Sequence, residues 1–446
     1  MKLWDKGVKT NKFIQQFTVG KDYLLDTQLV KYDCLASIAH AKILEKAGII
    51  SATESKKLKK EIKKIISLNK KGKFKVMSEQ EDSHTAIENH LVKKIGVLGK
   101  NVHAGRSRNE QVVTMTRLYS KEKLLELEIE TIVLCKQILS FAKKHEFVPM
   151  PGYTHTREAM PSSVGLWASS FVESLLDSIE LLESAFVLND QCPLGSAAGY
   201  GSNLPLSRTF GAKLLGFKKV QNNVLYVQNS RGKIEAVTVS ALAQVMFDLS
   251  KAASDLILFS TPEFGFFELP VEICSGSSIM PQKRNPDVME LVRAKSKKVQ
   301  ANLFEILAIA SAVGSSYHRD LQLTKQPLID SFEETLGSVK AMQIVFGKLK
   351  VNKKDCIEAC GFELFAADAA LEMVKKGIPF REAYKKVAKN LDKLEAVDVL
   401  QNIKSKKMMG ASGNLGLKKI GKEIAVKEKK VNVKEKDFDK AVAKLT

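Results

Sequence analysis

Proline is absent from the first 148 residues of this 446-residue chain, and only Pro327 and Pro379 follow Pro286. Eleven prolines in all is about half of ordinary usage. Since proline breaks a helix by removing a donor and clashing with the preceding turn, such stretches leave helices free to run long. The clearest case spans Ser107 to about Lys144, where neither glycine nor proline occurs and Leu118, Leu125, Ile132 and Leu139 recur every seven residues. At 1.5 Å per residue this predicts a helix roughly 55 Å long, which belongs in a bundle.

The same reading predicts helices over 21–49, 51–76, 78–96, 161–189, 233–260 and 286–313, with shorter helices and a lysine-rich tail after Lys348. The fold class is therefore all-α. A length of 446 residues asks for two or three packed units. The predicted division is an N-terminal helical unit (1–106), a central long-helix bundle (107–358) and a small C-terminal helical unit with the lysine-rich tail (359–446).

Composition closes off several function classes. No apolar run approaches a membrane span, and the opening Met1–Gly7 has no apolar core of a secretory signal, so a cytoplasmic protein is expected. Six cysteines without a CxxC pair suggest free buried thiols rather than disulfides or a zinc site. The net charge of +20 is segmental: residues 51–76 carry ten lysines against two acids, and residues 401–446 carry thirteen against five. Neither segment interleaves aromatic residues for base stacking, so nucleic acid is not the expected partner. His84, Glu88 and His90 do not make a metal site, because a six-residue spacing puts the two imidazoles on different sides of a helix.

Chemistry is concentrated in the punctuation. The stretch Ser275 to Asp287 carries Gly276, serines 277 and 278, Lys283, Asn285 and Pro286. Glycine permits unusual backbone angles, the side chains supply donors, and proline suits the first position of a helix. Such a loop makes an anion cradle, in which a carboxylate meets a fixed ammonium, an amide and the positive end of a helix. The plainer alternative is a flexible glycine-serine loop.

The run GSSIMPQKRNP (276–286) resembles the signature loop of the fumarase/aspartase superfamily. The stretches GRSRNEQV (105–112), PGYTH (151–155) and YHRDLQ (317–322) followed by Lys325 are similar to the argininosuccinate lyase family within it, as are EDSH (81–84), PLGSAA (193–198) and GIPFREA (377–383). The resemblance covers roughly residues 17–390. It implies a three-domain helical subunit, a homotetramer whose active sites draw on several chains, and reversible cleavage of argininosuccinate to arginine and fumarate without metal or organic cofactor. The rivals in substrate are adenylosuccinate lyase, aspartase and fumarase; an RNA-associated protein on a lyase scaffold would instead carry a damaged loop.

By position in these motifs, the resemblance assigns proton abstraction to Ser277, the leaving-group acid to His155 with Glu290 orienting it, and carboxylate binding to Lys283 and Asn285. It places His84, Ser107, Arg108, Asn109, Thr154, Tyr317, Gln322 and Lys325 at substrate. The chain departs from the family pattern at Glu110, at Leu323, Thr324 and Gln326, in the segment 229–233, and at Tyr384. A serine common in the early loop is missing from 17–20.

Overall fold

The structure is a computed structural model that describes residues 11–394 and 397–446. The opening residues read above for a secretory signal lie outside that range. Helices occupy Lys12–Val19 (α1), Asp22–Lys46 (α2), Ala52–Lys70 (α3), Ser83–Ile95 (α4), Arg108–Lys144 (α5) and Val164–Asn189 (α6). They continue through Arg208–Leu214 (α7), Val224–Asn229 (α8), Lys233–Phe259 (α9), Asp287–Ser311 (α10) and Lys325–Lys348 (α11). Shorter helices follow at Lys353–Glu358 (α12), Ala366–Lys375 (α13), Phe380–Ala388 (α14) and Val399–Ser405 (α15), before Leu417–Leu445 (α16).

Helix starts follow their capping residues. The Ser107 hydroxyl accepts from the Asn109 N–H at the start of α5, Ser163 caps α6, and Ser51 with Glu54 forms a reciprocal capping box on α3. The heptad leucines of α5 are buried, with Leu118, Leu125, Ile132 and Leu139 all in the main core.

Five long helices make the bundle, and their directions decide where the chemistry sits. Helix α9 begins beside the end of α10: a Cβ built on Gly232 (φ +76°) would lie 2.3 Å from that of Ala310. At its other end Phe259 packs on Tyr153 (ring centroids 5.9 Å apart), and Asp255 accepts from the Trp167 indole near the start of α6. The end of α11 joins this aromatic cluster through Phe346, which meets both Trp167 and Phe141 near the end of α5. Thus α5, α9 and α11 run one way and α6 and α10 the other. The 27 residues of α9 separate the two poles by about 40 Å.

Several features differ from the sequence expectation: the helix expected over 51–76 ends at Lys70, and the one expected from Ser78 starts only at Ser83, where Asp82 caps it. The helix expected from residue 161 starts only at Val164, because residues 149–163 form a hairpin of β1 (Pro149–Thr154) and β2 (Arg157–Ser163). Its three prolines sit where no helix interior has to accommodate them. The lysine-rich tail, expected after shorter helices, is the 29-residue α16, which buries Ile420, Ile424, Val431 and Phe438 in the main core against α5. Its lysines occupy the other face, as in any amphipathic surface helix. Helices α13 and α14 instead form a small core of their own around Ala370, Ala383 and Val387.

Candidate active site

At the pole where α5 and α11 begin, a cavity of about 140 Å³ is lined by Arg108, Asn109, Tyr317, Gln322 and Lys325, five of the residues singled out from the sequence. Asp22, Glu81, Asp82, Arg231 and Arg319 line it too, and the sequence reading had not assigned them to a site. Lys325 and Arg108 are both ion-paired. The Lys325 ammonium lies 2.7 Å from an Asp22 oxygen and 2.6 Å from an Asp26 oxygen. Arg108 donates to Asp82 at 2.8 Å, with Glu81 at 3.4 Å. The Gln322 amide donates to the Thr18 carbonyl at the end of α1, as Arg319 does.

Behind the lining, residues 82–84 tie these groups together. Asp82 caps α4 through the Thr85 N–H while receiving Arg108. The Ser83 N–H donates to Asp26, and its hydroxyl donates to Asp33. His84, expected at substrate, is buried behind the cavity with Nδ1 2.6 Å from Asp33. Burial pulls its imidazole down, but Asp33, Asp82 and Asp26 outweigh that and hold it above its ordinary value. Burial likewise works against the charge on Lys325, and the flanking Asp26 and Asp22 more than reverse it. The Ser107 hydroxyl is engaged as the cap of α5.

The remaining predicted residues are at the opposite pole. Thr154 ends β1, and His155 and Thr156 form the two-residue turn of the hairpin, with φ of 54° and 57°. Two positive φ values are what a type I′ turn requires, but neither residue is the glycine or asparagine that adopts them cheaply. The strain presents His155 at an exposed tip.

The signature loop starts from a bridge between Ser275 and Asn285, whose backbone groups exchange hydrogen bonds of 3.3 and 2.9 Å. Within it the Ser277 Oγ accepts from the backbone N–H groups of Ile279 and Met280, at 3.3 and 3.1 Å. Donors aimed at that oxygen favour its ionised form, which is what a serine needs to act as a base. The Asn285 amide donates to Ser275 and Gly276; Lys283 is exposed, and so is Glu290 in the first turn of α10.

One chain therefore brings together the Arg108 and Lys325 group, and holds Thr154, His155 and the signature loop about a bundle length away. Asp22, Asp26 and Asp33 are not legible in the sequence because their partners are distant in the chain: Lys325 is 303 residues from Asp22. Their helical spacing on α2 was the available signal.

A family model described as lyase matches residues 5–301. The argininosuccinate lyase of Thermotoga neapolitana is 43% identical over 387 residues, covering 87% of this chain and 97% of that protein. That of Sorangium cellulosum is 43% identical over 424 residues, covering 95% and 98%. Among solved structures, an EDDS lyase variant with bound fumarate superposes with a TM-score of 0.83 at 22% identity, over 99% of this chain and 95% of the other. At 43% identity over nearly the whole length, on an all-helical lyase fold, the chain belongs to the argininosuccinate lyase family.

Proposed function

We propose that the enzyme cleaves argininosuccinate reversibly to arginine and fumarate, in sites assembled from several copies of the chain. The observation that carries this reading is the division of the site residues: a cavity with Arg108, Asn109, Tyr317, Gln322 and Lys325 at one pole, and the loop and hairpin at the other. A second copy set antiparallel brings one chain's loop to another's cavity.

Two features support assembly. The chain exposes 22493 Å², against about 17,000 Å² for a compact monomer of its mass. The long helices also leave large apolar side chains in solvent: Phe304 on α10 is 74% exposed, Val187 on α6 61% and Phe247 on α9 45%. Such surface on central helices marks an interface. The homotetramer of the family resemblance satisfies both.

In the proposed chemistry Ser277 takes the proton from the succinyl carbon next to a carboxylate. The electron pair delocalises onto that carboxylate, where Lys283 and Asn285 offset the developing charge. The carbon–nitrogen bond then breaks, fumarate forms, and His155 supplies the proton to the departing guanidine nitrogen with Glu290 orienting the ring. Arg108, Asn109, Thr154, Tyr317, Gln322 and Lys325 bind the rest of the substrate, and Ser107 fixes the start of α5 beneath them. His84 acts behind the lining by positioning. Cytoplasmic localisation goes with this reading; among the described residues no helix is long and apolar enough to cross a membrane.

The test follows fumarate absorbance with purified protein given argininosuccinate, beside adenylosuccinate and a Ser277→Ala sample. Release of fumarate and arginine by the wild type alone is expected. Turnover of adenylosuccinate but not argininosuccinate overturns the substrate, and undiminished activity in Ser277→Ala overturns the base.

A further inference from the structure

The end of α16 separates two open grooves of opposite charge. One, of about 330 Å³, is lined by Glu122, Glu126, Glu130, Glu435 and Asp439, with Lys31 among them. The other, of about 1000 Å³, lies between α16, the end of α6, α7 and residues 216–220, and Lys213, Lys218, Lys219, Lys440 and Lys444 line it.

Pairing distinguishes the two. The carboxylates that α5 gives to the acidic groove are neutralised within the chain: Glu122 by Lys31 at 2.5 Å, Glu126 by Lys123 at 2.7 Å, and Glu130 by Lys340 at 3.6 Å. In the basic groove all five lysines are exposed, and none has an acidic side chain within ion-pair distance among the described residues. The acids nearby do not offset them. Asp190 is taken up by the buried Lys121 at 2.5 Å, and Lys434 has its own partners in Glu128 and Glu183. Five free lysines then face Asp437 alone, a surplus of four charges on the lining; a carboxylate at the chain end, beside Leu445, would reduce it to three.

The floor beneath the lysines is apolar and firmly built. A Cβ placed on Gly216 would lie 2.7 Å from that of Ala441, so α16 closes tightly on the backbone there. The Lys121 ammonium donates to the Gly216 carbonyl and lies 4.7 Å from the Phe217 ring centre and 5.5 Å from those of Phe186 and Phe438. These rings are at most 7% exposed and offer no open faces on which bases could stack. Val187, Phe210, Leu214 and Val220 add apolar surface. No arginine lines the groove, so the bidentate fork that suits phosphate is missing from it.

We propose that this groove docks an amphipathic acidic segment of another protein. Its carboxylates would meet the lysine rim while its apolar side chains cover the floor, a combination that charge complementarity selects and nucleic acid does not supply. The groove shares no lining residue with the substrate cavity, so docking is independent of which substrate the enzyme turns over.

Fluorescence anisotropy of the full-length protein tests it, with a fluorescein-labelled helical peptide that carries glutamate on one face and leucine on the other. Control peptides replace every glutamate by glutamine or every leucine by serine, and a labelled single strand of DNA is the third control. Binding in roughly the micromolar range is expected, weakened at least about tenfold by either replacement. The combined Lys218→Glu, Lys219→Glu, Lys440→Glu and Lys444→Glu variant should lose at least about tenfold as well. The same reversal at Lys56, Lys57, Lys60 and Lys63 on α3 should change affinity by less than about threefold. Equal losses in the two variants mean that net charge alone attracts the peptide and overturn the proposal, as does unchanged binding in the first. Tighter binding of the DNA strand overturns it in favour of nucleic acid. Absence of peptide binding up to roughly 100 μM overturns it too, the groove then being solvated or covered by another copy. Unchanged melting and turnover show that the variants fold; if the first does not, glutamine at the same four positions carries the comparison.

Discussion

The two poles of the bundle hold their functional groups in opposite ways. Around Lys325 the charges are buried and cross-linked, with Asp22, Asp26, Ser83, Asp33, His84, Asp82 and Arg108 joined through successive contacts. Around Ser277 and His155 the groups lie on a loop and a turn, His155 exposed and Ser277 half-buried, organised by hydrogen bonds local to those segments. Function at the first pole is built into the stability of the chain. At the second it is nearly free of it, and in the proposed assembly a partner surface would give the loop and the turn their setting.

This contrast is open to measurement. Ser277→Ala should lower kcat by at least about 10³-fold while the melting temperature stays within a degree or two, because the side chain caps only its own loop. Arg108→Ala should lose comparable activity. Mixing the two inactive variants during refolding should return about a quarter of wild-type activity if cavity and loop come from different chains, since a quarter of the sites then receive two intact halves. No recovery in a confirmed mixed oligomer breaks the division of labour between poles.

Lys325→Met should cost about 3–5 kcal/mol in urea unfolding as well as activity, because Asp22 and Asp26 are left without their cation in a buried site. A variant that is inactive but fully stable would put the first pole in the same class as the second.

A smaller effect concerns the tail. Burial raises the Glu128 carboxyl on α5 to about 7; Lys434 of α16 opposes the shift and Glu183 of α6 adds to it. An acid held above its ordinary value favours the folded state while protonated, so this stabilisation is present below about pH 4.5 and is lost as pH rises through about 7. Glu128→Gln should flatten the fall in stability between pH 5 and 8, gaining about 1–3 kcal/mol at the upper end. The smallest effect is expected on the exposed face of α3, where Lys63→Gln should change stability by no more than about 0.5 kcal/mol and leave kcat unaltered.

The legibility of the sequence follows the same contrast. Helix α5 was readable almost to the residue because its evidence is local: no glycine or proline, and a heptad of Leu118, Leu125, Ile132 and Leu139. The signature loop, Arg108, Tyr317 and Lys325 were readable through their motifs. The hairpin was not, since Pro161 is as acceptable in a strand at the edge of a two-stranded ribbon as at the start of a helix. Nor were Asp22, Asp26, Asp33 and Arg231, whose roles depend on contacts across the fold. Likewise, the many lysines of the tail mask the sparse stripe of Ile420, Ile424, Val431 and Phe438 that seats α16 on the core.

Helix α9 spans the distance between Arg231 and Phe259 without interruption, and that makes it a gauge as well as a support. Adding a single residue near its middle would advance one end by about 1.5 Å and turn it by roughly 100° relative to the other. Arg231 and the aromatic cluster beneath the hairpin could then no longer both be in register with their surroundings. Neighbouring loops can gain or lose residues at little cost, but the length of α9 sets the spacing between the two poles, and in the proposed assembly every copy would have to share it.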